Sequence, residues 1–143
     1  MIRGIVTDKR KLRQPCVLCP EGVVGAVSRD LVDTLRGSET YGVGLAANQI
    51  GYRERVVAIR DGTDILVLVN PVVIRLFGGS SSVDEGCLSR PGMQVRMTRK
   101  LKARVAYETV CGEQTVRTFR GFVARVVQHE LDHLDGILIG DDV

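Results

Sequence analysis

The chain has 143 residues, a comfortable length for one domain, and 44% of them are hydrophobic, enough for a substantial core. Its net charge of +3 is mildly basic, with Lys9, Arg10, Lys11 and Arg13 clustered near the start; such a run suits an acidic or nucleic-acid-rich neighbour but is more often a solvated surface. With 4% aromatic residues and no Trp there is no stacking platform for nucleic acid, and with neither a bilayer-length apolar run nor a secretory signal the expected address is cytoplasmic, off the membrane, with four reduced thiols.

Residues 1–20 read as an irregular basic segment broken by Pro15 and Pro20. Within it Cys16 and Cys19 form a C-x-x-C pair, but a zinc ribbon would need a second pair and a redox site its βαβ surroundings, so two ordinary thiols are expected. Over residues 23–35, Val24, Val27, Leu31 and Leu35 recur at helical spacing with Arg29, Asp30 and Asp33 between them and Gly37 at the end, which predicts an amphipathic helix. Ser38-Glu39-Thr40-Tyr41 then leads into Gly42-Val43-Gly44-Leu45-Ala46-Ala47-Asn48-Gln49-Ile50-Gly51, which lacks both the dinucleotide and the Gly-Lys-Ser/Thr phosphate-loop spacings. Two readings stand level here: a main chain that pairs with an extended peptide while Gln49 aims its amide into a cleft, or a tight core loop.

Residues 55–59, 65–69 and, after the Asn70-Pro71 break, 72–77 have β character and read as an antiparallel meander. A Gly/Ser stretch over 78–82 leads to Glu85-Gly86-Cys87-Leu88-Ser89 and the breaker pair Pro91-Gly92. Residues 101–110 and 114–119 then read as a hairpin turning at Cys111-Gly112-Glu113.

The chain's two histidines lie in Gln128-His129-Glu130-Leu131-Asp132-His133-Leu134. On a helix His129 and His133 sit one turn apart on one face and can offer two imidazoles to one cation, with Glu130 beside them. Phe122, Val126, His129 and His133 share an inward arc, Val123, Val127, Glu130 and Leu134 the next one, and Arg125, Gln128 and Asp132 the polar side, with Gly136 ending the helix. The predicted fold is α+β over a single domain, residues 1–143: antiparallel strands around a buried central helix carrying His-Glu-x-x-His, plus the N-terminal amphipathic helix. A hydrolytic metal needs a third protein ligand and an open position for water. Spacing leaves Cys16, Cys19, Cys87, Cys111 and several carboxylates as candidates, with Cys87 favoured because Gly86 would permit a tight approach.

Together Gly42 to Gln49, Glu85 to Ser89 and Gln128 to Leu134 closely resemble, in order, the three signature motifs of peptide deformylases, and the resemblance runs from Leu12-Arg13-Gln14-Pro15 to Gly136-Ile137-Leu138. It implies hydrolysis of the formyl group from the N-terminal formyl-methionine of new polypeptides, with release of formate. It also implies one divalent metal ion on Cys87, His129 and His133, ferrous iron in the cell with zinc, nickel or cobalt able to replace it. A dication lowers the pKa of bound water, so that Glu130 can take its proton as hydroxide attacks the formyl carbon and then pass it to the departing amine. The resemblance places the Gln49 amide and the Leu88 N–H at the developing oxyanion. It runs the peptide along Val43, Gly44 and Leu45, with Leu88 and Val126 at the methionine pocket, and Glu85 is expected to be structural, paired with Arg99.

Three features depart from the family pattern. Asn48 stands where threonine is most frequent, and Gln94 where some members have a peptide-contacting arginine. The sequence stops at Val143 where many bacterial members continue into a helix that aids ribosome attachment, so any transient ribosome association is expected to use another surface, such as the basic N-terminal segment. A monomer with no specific nucleic-acid partner is expected. The competing readings are a His-Glu-x-x-His metalloprotease and a non-catalytic, metal-stabilised binding module; in the latter Glu130 and Gln49 would have no task.

Overall fold

The computed structural model describes residues 1–37 and 42–141. The predicted approach Ser38-Glu39-Thr40-Tyr41 therefore lies outside the described residues. Three α-helices, α1 (Lys9–Leu12), α2 (Val24–Gly37) and α3 (Gly121–Leu134), accompany five strands, β1 (Gly44–Ala46), β2 (Val56–Asp61), β3 (Asp64–Cys87), β4 (Arg90–Glu108) and β5 (Gln114–Arg120). All neighbours in the sheet are antiparallel, in the order β1-β2-β3-β4-β5. The architecture is thus mixed α and β around an antiparallel sheet.

Two cores lie on opposite faces of the first strands. In β2, Val57 and Ile59 pack with α3 residues Ala124, Val127, Leu131 and Leu134, whereas Val56 and Ala58 pack with α2 residues Val27, Leu31 and Leu35. Because both faces are covered, β2 reads as a continuous apolar run rather than an alternation. Leu31 and Leu35 are fully buried, each contributing roughly 1.5–3 kcal/mol. The sheet beyond Val69 is covered on one side only, by α3.

Several expected boundaries move, each for a local reason. Residues 1–20 are not wholly irregular, since Asp8 caps α1 by accepting from the Arg10 N–H. Asn70-Pro71 does not end a strand: Asn70 takes a positive φ of 49°, the register shifts there, and its side chain ties Cys19 and Glu108 to the bulge. Gly78 and Gly79, with φ of 83° and 85°, form a further bulge, so the expected Gly/Ser linker is strand. The turn into β4 is Leu88-Ser89, closed by the Cys87–Arg90 pair, and Pro91-Gly92 lies within the strand.

Helix α3 also corrects its expected faces. Phe122 is 65% exposed rather than inward, while Arg125 and Gln128 are buried rather than on a solvated side. The reason is that the β3–β4 ribbon wraps this flank: Gln128 bonds both backbone groups of Lys100, and Arg125 reaches Ser81. Asp30 on α2 is likewise buried, held by the Met1 ammonium, Arg3 and Tyr52. Among the described residues no helix is long and apolar enough to cross a membrane.

Candidate active site

A cleft of about 720 Å³ opens between the β1 edge, the β3–β4 turn and α3. Val43, Gly44, Gln49, Cys87, Leu88, Val126, His129 and Glu130 all line it. Three elements distant in sequence therefore meet at one place.

At its floor, ligand atoms of Cys87, His129 and His133 lie within 4.8 Å of one another, and Cys87 Sγ is 3.2 Å from His133 Nε2. Cys87 is held there by the tight turn, while the two imidazoles project from adjacent turns of α3, ring centroids 5.1 Å apart. One sulfur and two nitrogens around a common point suit a divalent transition metal. The remaining nitrogens differ: His129 Nδ1 meets Glu85 Oε1 at 3.0 Å, an outer contact that fixes the tautomer and leaves the other nitrogen for a cation, whereas buried His133 Nδ1 has no hydrogen-bond partner. Among the described residues no other group of His, Cys, Asp and Glu offers three such ligands. Cys16 and Cys19 are buried in different cores, where burial pushes both thiols up, and Cys111 is exposed at a turn.

The electrostatics draw positive charge to this point. Although burial lowers it, His129 is pushed up to about 10 by Glu130, Cys87 and Glu85. Burial and then the charge of His129 hold His133 down at about 3, a neutral imidazole. Burial drives Glu130 up to about 7, where both its forms are accessible near neutral pH, and its Oε1 is buried with no partner among the described residues. A buried carboxylate oxygen without a partner, facing a cleft, is poised for a proton that the protein itself does not supply.

Glu85 anchors the cluster. Arg99 grips it with two bonds of 2.9 and 3.0 Å, Arg125 adds a third, and Arg99 also reaches Asp132 at 2.8 Å. Despite its burial, bonds from His129, Arg99 and Arg125 hold Glu85 at about 2. The Arg99 pairing matches the sequence reading, but Arg125 was missed because helical periodicity placed it on the solvent side. Ser89 was missed too; its buried hydroxyl accepts from Gln49 Nε2 at 3.1 Å, and the Ala46 N–H donates to Gln49 Oε1 at 2.9 Å. These bonds fix the amide orientation, with Nε2 3.6 Å from Cys87 Sγ.

Leu45 is fully buried in the α2 core, so its side chain is turned away from the cleft and its main chain lies at the β1 edge, the part of it that the sequence reading assigned to a peptide. One expectation shifts. Gly86 does not mediate the close approach: a Cβ there would meet nothing nearer than 3.7 Å. The critical glycine is Gly44, where a Cβ would stand 2.7 Å from both Glu130 Oε2 and Val126 Cγ1. Asn48 donates to the carbonyl of His133 at 2.6 Å, bracing the end of α3 behind the site.

Comparison with known proteins shows the family and the fold. A family model described as polypeptide deformylase matches residues 2–143. A peptide deformylase of Desulforudis audaxviator (strain MP104C) is 40% identical over 134 residues, 93% of this chain and 84% of that protein. The Met-Ala-Ser-bound structure of a class I type b peptide deformylase from Acinetobacter baumannii superposes with a TM-score of 0.91 at 26% identity, covering 100% of this chain and 99% of that one. The actinonin-bound structure of the class I type b enzyme from the same organism gives 0.90 at 28% identity with the same coverage.

Proposed function

The chain belongs to the peptide deformylase family and is an enzyme of that type, and from that premise we propose that it hydrolyses the formyl group from the N-terminal formyl-methionine of nascent polypeptides, with residues 1–143 acting as one catalytic domain. The observation that carries the reading is the convergence of a thiol, two imidazoles and a carboxylate with an unpartnered buried oxygen on the floor of one cleft.

Cys87, His129 and His133 would hold one divalent metal, a role their donor set fits. When bound, it supplies a Lewis acid for the formyl oxygen and lowers the pKa of a coordinated water. Ferrous iron is the proposed native ion, with zinc, nickel or cobalt as substitutes, because ligand softness does not choose among them.

The chain's own groups do the rest. Glu130 takes the proton of the water that attacks the formyl carbon and delivers it to the departing amine, its buried carboxylate lining the cleft beside the ligand cluster. Gln49, oriented through Ala46 and Ser89, and the Leu88 N–H stabilise charge on the formyl oxygen. The substrate adds as a strand along Val43, Gly44 and Leu45, since β1 is a sheet edge, and its methionine side chain rests against Val126 and Leu88. Binding of Met-Ala-Ser by the Acinetobacter enzyme supports a peptide ligand. We place the activity in the cytoplasm, in a monomer that meets ribosomes transiently.

The test is mass spectrometry of formyl-Met-Ala-Ser after incubation with protein loaded anaerobically with ferrous iron. Formate with intact Met-Ala-Ser is expected; cleavage of an internal peptide bond would assign a protease instead.

A further inference from the structure

The outer face of the β3–β4–β5 region is a candidate for a second function. In an antiparallel sheet, residues directly opposite one another share a face. Register therefore sets Phe77, Lys102 and Arg120 in one row, Arg75, Arg104 and Thr118 in the next, and Ser80 with Lys100 beyond them. The alternate β4 residues Ala103, Val105 and Tyr107 are buried in the α3 core, so this row of five cations lies on the face away from the active-site helix. No helix covers it, because α2 packs only against the early strands.

The charges are unbalanced. Among the described residues none of Arg75, Lys100, Lys102, Arg104 and Arg120 forms an ion pair, and the carboxylate at the end of the face, Glu108, is engaged by Asn70. Arg75 stands directly opposite Arg104, and Lys102 opposite Arg120. Like charges facing each other destabilise a sheet. Phe77 organises them nonetheless, with the Arg75 guanidinium 4.7 Å and the Lys102 ammonium 5.7 Å from its ring centre. The result is a cluster of cations carried on backbone positions about 4.8 Å apart across strands and about 6.8 Å apart along β4.

We propose that this face binds the phosphate backbone of structured RNA, without sequence selection. A polyanion relieves the repulsion that the isolated sheet carries, and three of the five cations are guanidinium groups, which match phosphate oxygens in a bidentate way. A second copy of the chain would bring the same charge and repel. The choice of RNA over other polyanions rests on the proposed substrate, nascent chains, which are made on an RNA-rich particle.

The test is fluorescence anisotropy of a labelled RNA duplex against the full chain over a salt series. Parent protein should bind at low salt with affinity falling as a power of salt concentration, the exponent being about 3.5 to 4.5 for the phosphates that five cations can neutralise. Lys102→Gln with Arg104→Gln should weaken binding about tenfold and lower the exponent by about 2, while Arg120→Gln alone should lower it by about 1. Arg120→Gln should not reduce the thermal midpoint, since it removes a repulsion, whereas the double variant also gives up the Lys102 contact with Phe77 and the Arg104 bond to Thr118 and should change the midpoint little. Lys9→Gln with Arg10→Gln, on α1, should change affinity less than about threefold. Failure of the parent to bind, equal loss from the α1 variant, or tighter binding to polyglutamate or to phosphatidylserine vesicles than to RNA would each overturn the proposal.

Discussion

Gly44→Ala tests the packing that aims the proposed base. Gly44 lies in β1 and lacks a positive φ, so alanine costs nothing in backbone conformation and the whole effect is steric. Its Cβ would sit 2.7 Å from Glu130 Oε2 and Val126 Cγ1, about 0.7 Å short of ordinary contact, with Glu130 Cγ also crowded at 3.0 Å. All three atoms belong to α3, which is pinned by the Glu85 network and by the Asn48 bond to His133. The helix therefore cannot withdraw, and Glu130 must swing. Overpacking of this kind costs roughly 1–3 kcal/mol, a fall in thermal midpoint of roughly 3–10 °C at this chain length. A displacement approaching 1 Å at a proton-transfer group lowers kcat by about 10- to 100-fold. Scanning calorimetry and formate release from formyl-Met-Ala-Ser read both effects. Gly86→Ala is the control, since a Cβ there finds ordinary contact at 3.7 Å, and it should leave both quantities near parent. A Gly44→Ala enzyme with parent midpoint and parent kcat would refute the steric argument.

Arg99→Gln should be costly because it strips two bonds from buried Glu85, which keeps Arg125 and His129; the loss is about 1–3 kcal/mol, and metal retention, read by equilibrium dialysis, should weaken about 10-fold as the Glu85 support of His129 loosens. Removing metal by chelation should expose a thiol. Metal-loaded protein should react rapidly with a thiol reagent at exposed Cys111, metal-free protein at Cys111 and half-exposed Cys87, and buried Cys16 and Cys19 at neither stage. Asp30 is held below the usual carboxylate range by the Met1 ammonium, Tyr52 and Arg3. A depressed carboxylate stabilises the fold above its unfolded pKa of about 3.9 and loses that contribution as pH falls. Asp30→Asn should thus lower the urea midpoint at pH 7, and the deficit should begin to shrink only below about pH 4 and persist in part at about pH 3, because it vanishes only below the depressed folded-state pKa. Gly136→Ala combines a φ of 77° with a Cβ placed 2.3 Å from the Arg13 carbonyl, so a loss of about 3 kcal/mol or more is expected in urea unfolding.

Much of the site was legible because its chemistry is carried by short motifs. His129, Glu130 and His133 share one helical turn, and Cys87 is fixed by a turn adjacent to its own motif, so local sequence held most of the geometry. What sequence obscured was the contribution of partners far along the chain. Arg125 and Gln128 look solvent-facing by periodicity, yet the β3–β4 ribbon folds over them, and nothing within α3 announces that ribbon. The same ribbon explains the strand errors: Asn70-Pro71 and Gly78-Gly79 are strong break signals in isolation, but in the sheet they become bulges that bend a single long strand. Gly86 and Gly44 make the same point at atomic scale. Both sit beside functional residues, and only the packing distances show which one a Cβ would obstruct.

The most direct measurement is formate release by parent protein and by Glu130→Gln, each loaded with the same ferrous iron and shown by elemental analysis to hold equal metal. Glutamine preserves the shape of a side chain that is buried and has one unpartnered oxygen, so the variant should fold and retain metal. The expected result is formate from the parent and a loss of at least about 100-fold in the variant. Equal turnover by both proteins, or none from a correctly metallated parent, would contradict the assignment of this cleft as a deformylase site driven by Glu130.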